Sequence, residues 1–346
     1  YILLIVFDLS RSHMDCCNLP QLTVVPISSY HQVMEYSRGI ASIRALLSLS
    51  GALVRAIRPK QWTKNLIIYL ALFFTINEIW DPYDHGEVIF LLIRTTMAFV
   101  LFSVLSGGVY MVNDLFDMER DLQHPKKRLR PIASGQLPVS VARFMSITLM
   151  VGSLVLAFML EPTFGAVCLA YGVIMVIYTV VMKQVVILDV FVISAGFVLR
   201  AISGAVVLEV PISPWLYTCT GLGALFIALA KRRSELVAAG ENAGTQRDTL
   251  EWYSSRVLDR LILVVAIFVV LAYSLYTFTA SNLPDNYAMT LTIPFVVYGL
   301  FRYAYLVHTK DLGETPEDIL ITDVPLAISI LMWLATASTV LVVFRG

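Results

Sequence analysis

The sequence has little charge and few cysteines. Only 14% of its 346 residues are Asp, Glu, Lys or Arg, whereas a soluble domain carries roughly 25%. Of its four cysteines, Cys16 and Cys17 are adjacent, and Cys168 and Cys219 lie inside apolar runs. This arrangement excludes a disulfide-stapled scaffold and a zinc site as interpretations, because both require cysteines at defined spacings. No repeat or low-complexity segment is visible, which excludes a solenoid or a fibrous protein.

Apolar sequence takes the place of charge. Hydrophobic residues make up 58% of the chain, and its mean hydropathy is +0.76. About nine apolar runs are long enough to cross a membrane as helices, which requires roughly 20 residues. They predict an all-α fold, a polytopic membrane bundle of about nine transmembrane helices. The predicted spans centre on Ile67–Ile79, Val88–Val112, Val141–Leu160, Phe164–Met182, Ile187–Leu208, Trp215–Ala230, Leu261–Thr279, Met289–Leu306 and Ala327–Phe344.

The short connections between these runs predict one membrane domain, residues 54–346, preceded by an extension, residues 1–53, to which no function is assigned. Basic residues gather before the first predicted span and after the second, fourth, sixth and eighth. The opposite connections have few, and Trp80–Glu87 carries three acids instead. Because short cytoplasmic loops are enriched in Lys and Arg, we expect the N-terminus to be cytoplasmic. The expected location is the cell membrane, that is, the inner or plasma membrane.

The most informative motif is Asn113-Asp114-Leu-Phe-Asp117-Met-Glu-Arg-Asp121, at the expected cytoplasmic end of the second span. On a helix, Asp114, Asp117 and Asp121 fall at i, i+3 and i+7, so the three carboxylates share one stripe. Ligation by oxygen alone suits Mg²⁺, which completes its shell with water and substrate phosphates. The sequence therefore predicts a Mg²⁺ site at these aspartates, with a solvated loop of mixed charge as the alternative.

Polar and basic residues on the same expected face indicate the other half of a phosphate site. Lys183 and Asp189, which flank the turn after the fourth span, join the three aspartates as predicted catalytic residues. Asp189 could instead cap its helix, and Lys60 and Lys64 could be membrane anchors. Whether Arg200, inside the fifth span, contacts substrate or pairs structurally stays open. The predicted substrate-binding residues are Lys60, Lys64, Asn65, Asn113, Lys126, Arg128, Arg130, Tyr178, Lys231 and Arg232.

At these residues the chain resembles the UbiA superfamily of intramembrane prenyltransferases. The first signature of that family is Asn-Asp-x-x-Asp-x-x-x-Asp, and residues 113–121 match every fixed position. The resemblance covers roughly residues 55–344. It implies a bundle of nine spans, a cavity open to the bilayer, and a Mg²⁺–diphosphate site at the cytoplasmic end.

A second family signature is altered here. Typical members carry another Asp-x-x-x-Asp after the sixth span, where this chain reads Lys231-Arg232-Arg233-Ser234-Glu235. One acid among three cations favours direct binding of a phosphate over a second metal. The chain is similar in order and spacing to one branch, the decaprenyl-phosphate phosphoribosyltransferases. The matching segments are Arg58–Asn65, His124–Pro131, Lys183 with Leu188 and Asp189, Phe197–Ile202, Ala230–Leu236 and Gly313–Glu317.

This branch implies a Mg²⁺-dependent transfer of the 5-phosphoribosyl group from phosphoribosyl pyrophosphate to a polyprenyl phosphate. Diphosphate is released, and the product serves cell-wall arabinan or a related glycolipid. Lys231 and Arg232, or alternatively the cluster 126–130, would hold the 5-phosphate. The alternatives are ordinary prenyl transfer to an aromatic, quinone or lipid acceptor, and a transporter, although transporters place ionisable groups near the midplane. The expected partners include the bilayer but no nucleic acid, and a homo-oligomer stays open.

Overall fold

The structure is a computed structural model that describes residues 44, 46–239, 251–310, 318–319 and 322–345. Within these ranges the chain is nearly all helical and contains no β-strand, only an isolated bridge between Ile76 and Trp80. The predicted all-α class is confirmed. Most of the predicted extension and the matching segment Gly313–Glu317 lie outside the described residues.

Eleven helices lie fully within the described residues. A 3-10 segment, Pro59–Tyr69, leads directly into the short second helix, and shorter 3-10 turns cover Lys127–Leu129, Met182–Gln184 and Ala288–Thr292. The helices are α1 (Leu46–Ala56), α2 (Leu70–Phe74), α3 (His85–Phe116), α4 (Met118–Gln123), α5 (Val139–Leu160), α6 (Pro162–Val180), α7 (Leu188–Val207), α8 (Pro214–Ala239), α9 (Ser255–Thr279), α10 (Ile293–Lys310) and α11 (Val324–Val343).

Seven segments of the described chain are long and apolar enough to cross a membrane: α3, α5, α6, α7, α9, Ala288–Thr309 and α11. Their outward side chains are apolar. Phe144 and Leu331, for example, are 68% and 63% exposed, and such a surface suits lipid rather than water. The protein is therefore a multi-pass membrane protein. The other two predicted spans correspond to the 3-10 segment with α2 and to α8, so the count of about nine stays a prediction.

The chain divides into two units, Tyr1–Ser48 and Leu49–Gly346. The boundary predicted after residue 53 lies inside α1 and stays a prediction. In the second unit, α7 takes part in two apolar cores. Its beginning packs with α8, α9, α10 and α11, and its end packs with the 3-10 segment, α3 and α6.

The 3-10 segment approaches α7 very closely at one glycine. A Cβ atom on Gly204 would lie 2.0 Å from the carbonyl oxygen of Ile68, so only glycine permits this contact. The segment therefore lies against α7 and α3, and the residue before it, Arg58, reaches the end of α3 that carries the acidic motif.

Candidate active site

The acidic motif spans the junction between α3 and α4. Helix α3 ends at Phe116, yet the i to i−4 hydrogen bonds continue through the junction. The N–H of Asp117 donates to the Asn113 carbonyl at 2.9 Å, and that of Asp121 donates to the Asp117 carbonyl at 2.8 Å. The helical register therefore persists, and the three carboxylates stay on one side, as the spacing predicted. Asp114 and Asp121 are buried, and Asp117 is half-buried.

Two arginines contact the buried acids. Arg58 donates a hydrogen bond from Nη2 to Asp114 Oδ1. Arg130 Nη1 lies 3.1 Å from the same oxygen and 2.6 Å from Asp121 Oδ2. Because one guanidinium nitrogen contacts both carboxylates, Asp114 and Asp121 converge on a single cation position. Buried acids require such compensation, since an isolated carboxylate out of water is strongly unfavourable.

Two lysines extend the site on its other side. Lys183, in the 3-10 turn after α6, places Nζ 2.5 Å from Asp117 Oδ1. Burial lowers the pKa of Lys127, while the carboxylates of Glu235, Asp121 and Asp117 act in the opposite direction. The last turns of α8, which carry Glu235, lie at the same end of the bundle as the acidic motif, because Lys183 shortly precedes α7 and the start of α7 pairs with α8.

Asp189 and Arg232 form a buried ion pair between α7 and α8. Asp189 is completely buried, and its Oδ2 lies 3.0 Å from Arg232 Nε. Tyr253 donates to Asp189 Oδ1 at 2.9 Å and accepts from the N–H of Ile187 at 2.7 Å. Burial, together with the Asp189 carboxylate, raises the pKa of Tyr253 to about 12, so its hydroxyl stays protonated. Arg232 also pairs with Glu235 on its own helix.

The remaining predicted residues occupy several environments. Asn65 is buried and points to α3, where its Nδ2 donates to Ser103 Oγ at 2.9 Å. Asn113 accepts a hydrogen bond from Thr179 at 3.5 Å. Lys60, Lys126 and Arg128 are exposed, and Lys64, Tyr178 and Lys231 are half-buried. The structure thus brings the aspartates together with Arg130 and Lys183, whereas Asp189, Arg232 and Asn65 belong to neighbouring polar clusters. The catalytic and binding roles of all these residues stay predictions.

Sequence reasoning missed three contributors to this region. Arg58 lay inside a recognised segment, but nothing local indicated that it contacts Asp114. Lys127 was included only as part of the cluster 126–130, and the sequence did not indicate that it, rather than Lys126 or Arg128, is the half-buried member. Tyr253 carried no sequence signal, since its contact with Asp189 spans 64 positions.

The donor set fits a hard divalent cation. Within the described residues, no three Asp, Glu, His or Cys side chains already form a metal-holding group. The three aspartates instead contact basic side chains. However, they offer only oxygen ligands, which Mg²⁺ prefers, and Asp114 and Asp121 already converge on the position of the Arg130 guanidinium.

A cavity of about 550 Å³ lies in the half of the bundle away from the acids. Along α7 it begins near Phe197, about 12 Å from Asp189 at 1.5 Å per residue, and it extends to the α7–α8 connection. It lies between the 3-10 segment, α2, α7, α8, α9 and α11. Its walls are mainly apolar and aromatic and include Ile67, Phe74, Phe197, Ile227, Tyr276 and Trp333.

Fold and site together define an α-helical multi-pass membrane protein with a carboxylate cluster and an apolar cavity. The model of the UbiA prenyltransferase family matches residues 66–318, and the chain belongs to this family. It is therefore a membrane-embedded transferase, and the resemblance inferred from residues 113–121 is confirmed.

Similar proteins agree with this assignment. The decaprenyl-phosphate phosphoribosyltransferase of Mycobacterium tuberculosis (strain ATCC 25618 / H37Rv) is 36% identical over 289 residues, which are 84% of this chain and 94% of the relative. The Mycolicibacterium smegmatis protein of the same name is 33% identical over 299 residues, covering 84% and 92%. A UbiA homolog from Archaeoglobus fulgidus, solved with GPP and Mg²⁺, has a TM-score of 0.64 at 17% identity, covering 84% of this chain and all of that one. The branch suggested by the short motifs is confirmed, and the solved structure supports the fold.

Proposed function

We propose that the protein transfers the 5-phosphoribosyl group of phosphoribosyl pyrophosphate to a polyprenyl phosphate of the decaprenyl type, releasing diphosphate. The observation that carries this proposal is the charge at the end of α8. Lys231, Arg232 and Arg233 stand there with the single acid Glu235, at the same end of the bundle as the acidic motif. That arrangement suits a donor with a phosphate separate from its diphosphate. The names of the bacterial relatives point the same way, and cell-wall arabinan or a related glycolipid is the expected use.

Asp114, Asp117 and Asp121 would hold Mg²⁺, which when bound supplies charge stabilisation for the departing diphosphate. Arg58, Arg130 and Lys183 contact these acids. The same cations lie within side-chain reach of an anion bound over the aspartates. They therefore keep the carboxylates oriented and can then donate to the diphosphate oxygens.

The 5-phosphate belongs, in this proposal, on the α8 side of the site. Lys231 and Lys127 are half-buried there, and the charge of Glu235 acts on Lys127. Arg232 is paired with Asp189 and Glu235, so in this proposal it stabilises the end of α8 and does not itself bind the phosphate. The acceptor oxygen of the lipid monophosphate forms the new bond to C1 as the bond from C1 to the diphosphate breaks. That oxygen is already ionised at neutral pH, so the site needs no general base.

The apolar cavity is the proposed place for the acceptor's polyprenyl chain. It begins about 12 Å along α7 from Asp189, and its aromatic and aliphatic walls match a hydrocarbon chain. A lipid with its phosphate near Lys183 and its chain directed into the bundle would fill both regions. The site chemistry and the cavity therefore fit one amphipathic acceptor.

The decisive experiment incubates purified protein with Mg²⁺, labelled phosphoribosyl pyrophosphate and decaprenyl phosphate. We expect a labelled lipid and released diphosphate. Geranylgeranyl diphosphate with an aromatic acceptor should give no product. If prenyl transfer occurs instead, the ordinary prenyltransferase alternative replaces the proposal.

Chelation should abolish this transfer, because without Mg²⁺ the aspartates would repel the diphosphate and nothing would bridge the two. We expect no labelled lipid in excess EDTA, and recovery when excess Mg²⁺ or Mn²⁺ is restored. Unfolding temperature measured in parallel controls for damage by the chelator. Full activity in excess EDTA would contradict the metal assignment.

We further propose that the site faces the cytoplasm from the plasma membrane. The basis is the distribution of Lys and Arg between the two sets of connections. Single cysteines in the 122–139 connection should therefore react with impermeant reagents only from the cytoplasmic side. Cysteines at 81–87 should react only from the opposite side. Labelling of position 84 from the cytoplasm would reverse the orientation.

A further inference from the structure

A buried polar network lies among α3, α6, α7 and the 3-10 segment. Its centre is Arg200, a cation in the middle of a membrane-spanning helix with only 4% of its surface exposed. Such residues are unfavourable in a bilayer unless the protein pairs them or a cavity hydrates them. The contacts of Arg200 therefore indicate why the residue is there.

Each guanidinium nitrogen of Arg200 donates to a protein acceptor. Nε donates to Asn65 Oδ1 at 2.7 Å, Nη1 to the Gly196 carbonyl at 2.8 Å, and Nη2 to the Tyr171 hydroxyl at 2.8 Å. The ring centroids of Tyr171 and Phe197 lie 4.7 and 5.1 Å from its Cζ. Arg200 thus connects elements of the protein, which answers the question that its sequence position left open.

The contact with Asn65 determines how that side chain is oriented. Arginine can only donate hydrogen bonds, so the Asn65 carbonyl oxygen must face α7 and its NH₂ group must face α3. There Nδ2 lies 2.9 Å from Ser103 Oγ and 3.4 Å from Ser106 Oγ. These hydrogen bonds from Asn65 form a tie between the 3-10 segment and α3. Arg200 holds the Asn65 amide in the orientation that the tie requires.

A second tie joins the same two elements at the acid site, where Arg58 contacts Asp114. Seven residues separate Arg58 from Asn65, about 14 Å at the 3-10 rise of roughly 2 Å per residue. Asp114 lies eight residues after Ser106 and eleven after Ser103, about 12 Å and about 16.5 Å at the α-helical rise. The length along the 3-10 segment falls between these two values, so the inner tie sets the register of the outer one. A slip of one residue would move Arg58 by about 2 Å and break its contact.

We propose that Arg200 is a positioning residue. Through Asn65 it holds the segment Pro59–Tyr69 in the register that places Arg58 on Asp114. The kinetic part of this inference rests on the proposed function, whereas the placement of the segment is a property of the fold. The two can therefore fail separately.

The kinetic test compares Arg200→Gln, Asn65→Leu and the double variant. A displacement of about 1 Å in a catalytic arrangement can lower the rate about a hundredfold. We expect losses of that order in kcat from each single variant, with little change in KM for the lipid. The double variant should lose no more than the worse single one, because both act through one tie. Additive losses would overturn the coupling through Asn65.

Tyr171→Phe is the matched control. It removes one hydrogen bond from Arg200 in the same buried environment but leaves Asn65 untouched. We expect it to lower the unfolding temperature while kcat stays near that of the wild type. If Tyr171→Phe reduces kcat as much as Asn65→Leu does, general destabilisation explains the losses and the positioning role is rejected.

A distance measurement tests the placement without any substrate. Spin labels at Thr63 and Phe116, both exposed, would be introduced after the four native cysteines are replaced by alanine. We expect one narrow distance in the parent protein and in Tyr171→Phe. A shift or broadening of about 2 Å or more, the rise of one 3-10 residue, should appear in Arg200→Gln.

The paired variant Ser103→Ala with Ser106→Ala breaks the same tie from the α3 side and should change the distance in the same way. It also serves as the test if Arg200→Gln fails to fold. Unchanged distances in the folded variants would overturn the inference. If the wild type makes no phosphoribosyl lipid, the proposed function fails, and the distances still decide the placement.

Discussion

Asp114→Asn should lose about a hundredfold to a thousandfold or more in kcat, the size of effect seen when one electrostatic group is removed from an active site. Asp114 is the most constrained of the three acids. It is 2% exposed and is contacted by both Arg58 and Arg130. The neutral amide keeps the shape of the side chain but removes the charge needed to hold a divalent cation. The measurement is single-turnover formation of labelled lipid from phosphoribosyl pyrophosphate.

Glu119 provides the matched control for this experiment. It lies on α4 between Asp117 and Asp121, but its side chain is exposed. Glu119→Gln removes one negative charge from the same motif and should leave turnover close to that of the wild type. Unfolding temperatures of both variants separate catalytic from folding effects. Wild-type turnover by folded Asp114→Asn would remove this residue from the proposed metal site.

Arg232→Ala should destabilise the protein strongly, by about 3–5 kcal/mol, the usual effect of leaving one charge of a buried pair without its partner. The partner is Asp189, which is completely buried 3.0 Å from Arg232 Nε. Replacing both residues by apolar ones, Arg232→Met with Asp189→Leu, should restore much of the stability. The measurement is thermal unfolding in a fixed lipid or detergent environment.

Lys231→Ala should behave differently, although it changes the adjacent residue. Its half-buried ammonium is the proposed ligand of the 5-phosphate, so stability should change little. Loss of one charge-assisted contact, about 1.5–3 kcal/mol, should lower kcat/KM for the donor about tenfold to a hundredfold. KM for the lipid should stay nearly constant.

Arg233→Ala is the control for both variants. Arg233 Nε lies 2.8 Å from Asp259 Oδ1, and Asp259 is 40% exposed. Because this pair engages its guanidinium, Arg233 is not a proposed phosphate ligand. Its removal should affect donor kinetics little. If Lys231→Ala leaves donor kinetics intact, the 5-phosphate must instead be bound by residues 126–130. If Arg232→Ala is stable but weakens donor use, Arg232 contacts the phosphate directly.

Helical spacing predicted that the three aspartates share one side, because that arrangement is local. Asp114, Asp117 and Asp121 lie within eight residues, and hydrogen bonds through the α3–α4 junction preserve the register that places them on one side. The cations that face them come from other parts of the chain. Arg58 precedes Asp114 by 56 positions, and Lys183 follows Asp117 by 66. No local pattern specifies such pairs.

The basic cluster shows the limit of local reasoning within a few residues. The sequence gives no reason to distinguish Lys126, Lys127 and Arg128, because all three are basic. In the structure only Lys127 is half-buried, and its two neighbours are exposed. The short 3-10 turn decides their directions. Likewise, Arg232 looked like a phosphate ligand because it is basic, and the structure instead places it on Asp189.

The sequence alone determined the class of this protein: long apolar runs require helices in a bilayer, and the motif at 113–121 with the altered second motif identified the family and its branch. The apolar runs and the spacing of the aspartates are encoded by composition and periodicity, which act over one or two helical turns, and the family follows from the resemblance of the motifs. Only the tertiary structure decided which cation meets which acid, that Arg200 binds Asn65, and that the cavity lies beyond Phe197. Those contacts depend on how separate helices pack, for example on the close approach that Gly204 allows to Ile68.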